Sequence, residues 1–352
     1  MSAHTTIALD AGGPPGTLAL PGGAGPDQRV PAVVLLHPFG VWDRDGCMEA
    51  EASGNGPVEL FTDLRDDCTS AGLAAASFDA IFLTRSRDVA EFTFGAMVDD
   101  AVAVARQVAA HPYVDESRIC LAGVSMGAEV AVAAAERLGG ECRLALVAPS
   151  ADLRPHFQRW MGADRRLEWL AAAGYLGADG TVDLAAAARD VTGRSGWWDS
   201  FDLVERLGDK IDAELLRALI TLEYDEWELR AQTTGDDDAP ASFWQDWYAQ
   251  PAPHHRLAHL SGTLTIHVGA EDWTTPARHA WLLHTTAQAR GLRSDLTVHP
   301  GLGHLMSPRD AAGMRTYGPF DPGFRRDLST AITALTGIDR PPSLEKTRET
   351  TP

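Results

Sequence analysis

A serine between two glycines is the residue of this 352-residue chain best placed to do chemistry. The pentapeptide Gly-Val-Ser-Met-Gly occupies positions 123–127, directly after an apolar run and directly before an alanine-rich one. Glycines two residues to either side of a serine allow a buried strand to turn sharply into a helix. The hydroxyl then projects at the helix N-terminus, where the helix dipole stabilises developing negative charge. The pattern predicts that Ser125 is a catalytic nucleophile.

The acid that supports this serine should follow a strand of its own. A serine hydroxyl is a weak nucleophile at neutral pH, so it requires a base, and an acidic residue must orient that base. A predicted strand over 263–268 is followed by Gly-Ala-Glu-Asp, which makes Asp272 the predicted acid. Glu271 is the neighbouring alternative, and Asp152, after an earlier strand, is a more distant one. A structural interpretation also stays open, in which Asp272 and Glu271 only cap a helix that begins near Thr275.

The predicted base lies on the loop after the next strand. That strand is predicted over 296–299, and the following loop, Pro-Gly-Leu-Gly-His, ends at His304. The glycine immediately before His304 gives the loop conformational freedom, so we expect this histidine to reach the serine. His299 is the competing histidine, but it still belongs to the strand, and we expect its side chain to point into the packing of the sheet.

Two N–H donors are needed to bind the negative oxygen of a tetrahedral intermediate. In a turn of this kind one donor is the residue after the nucleophile, which predicts the amide of Met126. The loop after the third strand, His-Pro-Phe-Gly at 37–40, should supply the other. Pro38 has no N–H and cannot donate, so the amide of Phe39 is the predicted second donor.

Alternating strands and helices are needed to bring these loops to one edge of a sheet. Near-continuous apolar runs indicate buried strands, and apolar residues at helical spacing indicate helices. The pattern predicts strands over 5–9, 17–20, 30–36, 73–78, 118–124, 142–148, 263–268 and 296–299, and helices over 58–71, 92–110, 276–289 and 324–335, with one more after Ser125. This alternation predicts an α/β fold with a doubly wound, mostly parallel eight-stranded sheet.

The alternation stops between residues 151 and 255, which we interpret as an inserted helical cap. This segment has helical patches but no convincing buried strand, and its 20 acidic and 10 basic residues give a net charge of −10. It also contains seven of the ten tryptophans, Trp160, Trp169, Trp197, Trp198, Trp227, Trp244 and Trp247. The core is then predicted to comprise residues 1–150 and 256–337, and residues 338–352 form a polar, flexible tail.

Tryptophans offer apolar walls for a substrate. An aromatic wall binds apolar acyl groups or ring-shaped groups, although we expect at least half of the insert's tryptophans to pack its own small core. Trp42 and Trp273 lie on the predicted oxyanion loop and on the predicted acid loop. The sequence therefore predicts that these two side chains line the substrate pocket.

Composition excludes several classes of protein. With 30 basic and 49 acidic residues the net charge is −19, which argues against a nucleic-acid or membrane partner. Cys47, Cys68, Cys120 and Cys142 are far apart, so we predict no metal site, no disulfide framework, and mostly buried thiols in a cytoplasmic protein. We expect no signal peptide in the first residues, and no apolar run reaches 18 residues.

The chain resembles serine hydrolases of the α/β-hydrolase superfamily that carry a helical cap. The resemblance covers about residues 30–148 and 260–335, and it rests on the motifs at 37–40, 123–127, 269–272 and 303–304. The segment Ser-Phe-Trp-Gln-Asp-Trp-Tyr at 242–248 is similar to the cap exit of bacterial members known only as general hydrolases. Two positions depart from the pattern, because many members have glycine where this chain has Pro38 and Ala128.

The resemblance implies an enzyme that needs no cofactor. It implies hydrolysis of an ester-type bond in a small, apolar or ring-containing molecule, through Ser125, Asp272 and His304. Two other interpretations stay open, namely a lyase or cyclase of specialised metabolism that reuses the same three residues, and a non-catalytic binding protein on the same fold. The expected partner is a small-molecule substrate, and a homodimer is compatible with the sequence.

Overall fold

A mixed sheet of eight strands forms the centre of the computed structural model, which describes residues 5–9, 13–48, 58–85, 90–151, 164–191, 207–272, 274–308 and 319–338. Strands β1 to β8 span Thr5–Leu9, Gly16–Leu20, Val30–Leu36, Ala74–Phe78, Val114–Val124, Glu141–Val147, Ser261–Gly269 and Arg293–His299. Their order across the sheet is β1-β2-β4-β3-β5-β6-β7-β8. Strand β2 runs antiparallel to β1 and β4, and the other neighbouring pairs are parallel. The predicted doubly wound, mostly parallel sheet is therefore confirmed.

Helices cover both faces of this sheet. Helices α1 to α9 span Thr62–Ser70, Phe94–Ala110, Met126–Leu138, Arg165–Ala172, Leu184–Val191, Ala213–Thr234, Ala241–Ala249, Ala277–Ala289 and Pro322–Leu335. Short helical turns lie at Ile81–Thr84, Pro253–Arg256 and Leu257–His259. Helices α2, α3 and α8 pack on one face, and α1 and α9 pack on the other.

Strand β3 shows why a continuous apolar run is needed at the centre. All seven of its residues are buried. Ala32, Val34 and Leu36 pack into the core on the α2 side, while Val33 and Leu35 pack into the core on the α1 side. Because successive side chains of a strand point to opposite faces, only a strand covered by helices on both faces requires apolar residues at every position.

The segment predicted as a helix over 58–71 begins differently. Val58–Glu59 is a short strand that pairs with Cys47–Met48, and the helix starts only at Thr62. Leu60 and Val58 are buried whereas Glu59 is exposed, which is the two-residue period of a strand. The predicted helix was therefore too long at its N-terminal end.

Two strands begin three or more residues earlier than predicted. Strand β5 starts at Val114 instead of residue 118, and β8 starts at Arg293 instead of residue 296. Strand β8 lies at the edge of the sheet, and its first residues alternate between exposed and half-buried positions. An apolar run does not mark such a strand, because polar side chains occupy its solvent-facing positions.

The inserted segment has a small core of its own. Its helices α4, α5 and α6 surround a two-stranded ribbon formed by Thr181–Asp183 and Lys210–Asp212. The ribbon corrects the prediction of an insert without strands. The buried residues of this core are aliphatic, namely Leu170, Val182, Leu184, Ala187, Ile211, Leu216 and Ile220.

Helix α7, at the end of the predicted cap, packs on the main core. Phe243, Trp244 and Trp247 belong to the same buried cluster as residues of α2 and α3. Trp247 donates its indole N–H to the Glu129 carboxylate, 3.1 Å away, in the first turn of α3. Asp246, in the same helix, accepts a hydrogen bond from a backbone amide at the start of α2. The end of the predicted cap is therefore packed on the main core, and the boundary at residue 256 stays a prediction.

The described tryptophans of the insert do not pack in its aliphatic core. Trp227 contacts the rings of Tyr224 and Trp244, and Trp244 contacts Trp247. These three rings lie in or against the main core cluster, and the expectation that at least half of the seven tryptophans pack the cap stays a prediction. Trp160, Trp197 and Trp198, the side chain of Trp169, and residues 339–352 of the predicted tail lie outside the described residues.

The four cysteines are free thiols. Cys68, Cys120 and Cys142 are buried, as predicted, and Cys47 is half-buried. Burial raises the pKa of Cys68 to about 12, so this thiol stays protonated at neutral pH. Within the described ranges, no helix has the length and apolar character that crossing a membrane requires.

Candidate active site

Ser125 occupies a strained turn between β5 and α3. Its backbone has φ 53° and ψ −118°, in a region that residues with a side chain rarely adopt. A Cβ atom on Gly123 would lie 2.1 Å from the carbonyl oxygen of Gly127, and one on Gly127 would lie 2.4 Å from that of Leu36. Both positions therefore require glycine, because only a residue without a side chain lets the strand, the turn and the helix approach this closely.

His304 lies within hydrogen-bond distance of this serine. Its Nε2 atom is 3.0 Å from Ser125 Oγ, and its ring is 7% exposed. The residue reaches this position from the loop after β8, where Gly301 has φ 73° and permits the turn. The predicted nucleophile and the predicted base thus lie side by side, although 179 residues of sequence separate them.

Asp272 contacts the other nitrogen of the same imidazole. Its Oδ2 and Oδ1 atoms lie 3.0 and 3.1 Å from His304 Nδ1. Oδ1 also accepts hydrogen bonds from the amides of Thr274 and Thr275, each 2.8 Å away. Burial alone would raise the pKa of Asp272, but the attraction and hydrogen bond of His304 and the hydrogen bonds of Thr275 outweigh it and hold this pKa below its usual value.

The acid that contacts His304 is the predicted one. His304 is bonded to Asp272 and not to Glu271, whereas Asp152 lies outside the described residues. The helix-capping interpretation is also partly correct for Asp272. Its carboxylate accepts hydrogen bonds from backbone amides of the turn just before α8. One carboxylate therefore serves both the turn and the histidine.

His299 points into the sheet, as expected from its place at the end of β8. Its Nε2 atom is 3.1 Å from His267 Nδ1, and the two rings are stacked. The ring edge of Phe324 packs against both histidines. Burial lowers the pKa of His267 to about 3, so this buried pair stays neutral and takes no part in the contacts of Ser125.

The two predicted oxyanion donors belong to neighbouring segments. The loop after β3 passes directly against the start of α3, since a Cβ atom on Gly127 would lie 2.5 Å from the carbonyl oxygen of His37. Met126 is the first residue of α3, a position whose amide has no acceptor within the helix. In the part of the chain that the structure describes, the amides of Phe39 and Met126 have no hydrogen-bond acceptor. Both are therefore available as donors.

Trp42 does not line an open pocket, which corrects the prediction. Its side chain is 1% exposed and packs in the core on the α1 side of the sheet. Its indole N–H donates to the carbonyl oxygen of Phe39, 3.1 Å away. His37 Nε2 forms a similar bond, of 2.8 Å, to the carbonyl of Asp43. Trp42 thus helps to fix the loop that carries the Phe39 amide.

The ring of Phe39 is held by an aromatic cluster. It contacts Phe82 at 4.7 Å, Phe243 at 5.6 Å and Trp244 at 5.7 Å between ring centroids. Because Phe243 and Trp244 belong to α7, the chain that leaves the predicted insert packs directly on the predicted oxyanion loop. Trp273, the second predicted pocket residue, lies outside the described residues.

A small cavity of about 20 Å³ lies behind the nucleophile turn. Its walls include Gly127, His37 and Asp100, and its volume suits about one water molecule. Burial raises the pKa of Asp100 to about 6, although an ion pair with Arg85 at 2.9 Å opposes this shift. This volume is too small for an organic substrate.

Thr275 is the residue of this site that the sequence did not identify. Its hydroxyl lies 2.9 Å from Asp272 Oδ2 and 3.4 Å from His304 Nδ1. The spacing of an aspartate and a threonine three residues apart, before a proline and a helix, was a signal for a turn. That spacing does not indicate that the Thr275 hydroxyl also contacts the Asp272 carboxylate next to His304.

These contacts define a class of chemistry. A neutral imidazole that donates from Nδ1 to a carboxylate can accept the serine proton at Nε2, which is the arrangement used in acyl transfer. Among the described residues, no group of three or more histidine, cysteine or acidic side chains could hold a metal ion. The fold and the site together are those of a serine hydrolase of the α/β-hydrolase superfamily.

Comparison with known families agrees with this class. A family model described as the alpha/beta hydrolase family matches residues 33–314, which is most of the chain. The protein therefore belongs to the alpha/beta hydrolase family and is a hydrolase. A search of curated proteins gave no significant match.

Solved structures share the fold at low sequence identity. Carboxyl esterase 2 of the mycorrhizal fungus Tuber melanosporum is 15% identical with a TM-score of 0.51, covering 95% of this chain and 87% of that one. The protein EstE5 is 16% identical with a TM-score of 0.50, covering 95% and 86%. A puromycin hydrolase is 15% identical with a TM-score of 0.50, covering 96% of this chain but only 40% of that one. At these identities the likeness extends to the fold alone.

Proposed function

We propose that this hydrolase cleaves a carboxylic ester through an acyl-enzyme on Ser125. The observation that carries the proposal is the continuous line of hydrogen bonds from Ser125 Oγ through His304 to Asp272. Binding alone does not require a strained serine, a histidine and a buried carboxylate in this line. The esterase named among the solved structures supports an ester as the substrate bond.

The proposed reaction has two halves. Ser125 Oγ attacks the ester carbonyl while His304 Nε2 takes its proton, and Asp272 stabilises the imidazolium that forms. The amides of Phe39 and Met126 bind the oxyanion, and the protonated His304 then delivers its proton to the leaving alcohol. Water then attacks the acyl carbon while His304 Nε2 takes one of its protons. The second tetrahedral intermediate breaks its bond to Ser125 Oγ and releases the acid, and His304 returns the proton to Ser125 Oγ.

The substrate is proposed to be small, uncharged or cationic, and apolar near the carbonyl. A net charge of −19 disfavours the approach of anionic molecules. The apolar preference rests on the aromatic rings of Phe39 and Phe82, which pack beside the proposed oxyanion donor. A cytoplasmic location is proposed from the four free thiols.

Turnover in water enriched in oxygen-18 tests this function. A panel of esters, thioesters, lactones and amides is incubated with the full-length protein, and the acid product is analysed by mass spectrometry. We expect ester turnover with one labelled oxygen in the acid. Ser125→Ala should lower the rate about 10⁴-fold or more, whereas the buried Ser329→Ala in α9 should leave it unchanged.

Three results would overturn the proposal. An unlabelled product formed by elimination or ring closure would identify a lyase or a cyclase. Turnover confined to amides would move the proposal to an amidase or a peptidase. Ligand binding without turnover of any bond would identify a binding protein on the same fold.

A further inference from the structure

The hydroxyl of Thr275 lies between two acceptors inside the site. Oγ1 is 2.9 Å from Asp272 Oδ2 and 3.0 Å from the carbonyl oxygen of Ala148, and the residue is 2% exposed. The backbone amide of Thr275 donates to Asp272 Oδ1 as well. Thr275 therefore contacts both oxygens of one carboxylate, from two different atoms.

A hydroxyl has one proton, so it can donate to only one of these acceptors at a time. A hydrogen bond to an ionised carboxylate is about twice as strong as one to a neutral carbonyl. Because Asp272 is buried, water does not compete for its oxygens. While Asp272 is ionised, the Thr275 proton therefore points to Oδ2, the same oxygen that lies 3.0 Å from His304 Nδ1.

We propose that Thr275 is a positioning residue for the catalytic carboxylate. It holds the carboxylate plane of Asp272 against rotation, so that His304 keeps its proton on Nδ1 and presents a free Nε2 to Ser125. This inference rests on the proposed function, since it assigns a task within the same reaction. Thr275 acts through Asp272 and does not touch the substrate.

Removal of the hydroxyl should change the titration of the site. A carboxylate with one hydrogen-bond donor fewer attracts the imidazolium more strongly, so protonated His304 is favoured and activity is lost at a higher pH. One titratable group nearby is the buried His279 in the first turn of α8, whose Nδ1 atom accepts a hydrogen bond from the amide of Ala151, 3.2 Å away. The others are Glu271, next to Asp272 in the loop, and His267 and His299 at the ends of β7 and β8. Burial lowers the pKa of both of these histidines, so they stay neutral in the pH range of the test.

The rate of inactivation by a fluorophosphonate tests this role without the natural substrate. The second-order rate constant is measured from pH 5 to pH 9 for the wild type, Thr275→Val and Thr275→Ser. A matched control is Thr333→Val in α9, another buried threonine whose hydroxyl donates to a backbone carbonyl. Failure of the wild type to react would refute the proposed function itself, before any variant is compared.

We expect Thr275→Val to react about tenfold more slowly than the wild type. The acidic limb of its pH profile, where the rate falls as the pH decreases, should move to higher pH by about half a unit to one unit. Thr275→Ser should stay within about threefold of the wild type with the original limb, and Thr333→Val should match the wild type. An acidic limb that does not move in Thr275→Val would overturn the inference, and so would a serine variant as slow as the valine variant.

Discussion

At the scale of single residues, the structure brings together side chains that the sequence places far apart. Ser125, Asp272 and His304 were predicted from the strand-to-loop position of each. In the structure His304 lies between the other two, with Ser125 Oγ 3.0 Å from its Nε2 atom and Asp272 Oδ2 3.0 Å from its Nδ1 atom. The sequence allowed that prediction because each residue lies in the turn or loop that follows a recognisable strand. Whether the three residues catalyse the reaction stays a prediction.

The choice between the two adjacent acids is open to a direct test. Asp272→Asn keeps the shape of the side chain but favours the wrong imidazole tautomer, so we expect turnover to fall by about 10³-fold to 10⁴-fold. Glu271→Gln should change turnover less than about threefold, since His304 is bonded to Asp272 alone of the two. Steady-state rates on an activated ester measure both variants. The reverse ranking would transfer the acid to Glu271.

The sequence does not show which side chains of a loop turn into the core. Trp42 follows the oxyanion motif closely, and this proximity suggested a pocket wall. The sequence could not indicate that its ring turns into the core on the α1 side. That direction depends on how the loop packs on the residues just after β4, where the amide of Ala80 donates to the carbonyl oxygen of Trp42. The hydroxyl of Thr275 escaped notice for a similar reason, since its contact with Asp272 Oδ2 depends on the shape of the turn.

At the scale of elements, α7 and α3 are joined by a buried hydrogen bond. Trp247 donates to Glu129, which is 3% exposed and lies one turn after Ser125. Trp244 makes the same kind of bond to Asp236, whose carboxylate is only half-buried. The chain thus offers two tryptophan–carboxylate bonds in one helix that differ in solvent access.

We expect Trp247→Phe to lower the free energy of unfolding by about 1–3 kcal/mol, because a buried carboxylate loses a donor that water cannot replace. Trp244→Phe is the matched control and should lower it by less than about 1 kcal/mol, since water can solvate Asp236. Urea unfolding followed by circular dichroism measures both values. Equal losses in the two variants would show that ring packing, and not the hydrogen bond, holds α7.

The accuracy of the predicted elements followed the degree of burial. Strand β3 was predicted with its observed bounds because both of its faces are covered by helices. Strand β8 was predicted too short because its outer face carries polar residues, and the ribbon of the insert was missed because its strands have only three residues each. The boundary of the insert stays a prediction, because aromatic residues such as those of α7 pack equally well on a cap or on a core.

At the scale of the whole molecule, stability should depend on pH through Asp100. Burial raises the pKa of this residue to about 6, against an ordinary value of 3.8, despite the Arg85 ion pair. The folded state therefore keeps a proton that the unfolded chain has already lost. Between about pH 4 and pH 6 the contribution of Asp100 to stability must decrease as the pH rises.

Comparison with Asp100→Asn isolates this effect. The variant cannot ionise at this position, so the wild type should lose about 2 kcal/mol of unfolding free energy relative to the variant between pH 4 and pH 7. Chemical denaturation at several pH values gives the two curves. Curves that stay parallel across this range would show that Asp100 has the same pKa in both states.

The nucleophile is the claim on which the proposed function depends most directly. The full-length protein is treated with a fluorophosphonate, digested, and mapped by tandem mass spectrometry, with Ser125→Ala treated in parallel. We expect a single covalent adduct on Ser125 and no adduct on the variant, because Ser125 alone among the described serines is bonded to an imidazole that is itself bonded to a buried carboxylate. An adduct on another serine, or ester hydrolysis by a protein that takes up no adduct, would contradict the assignment.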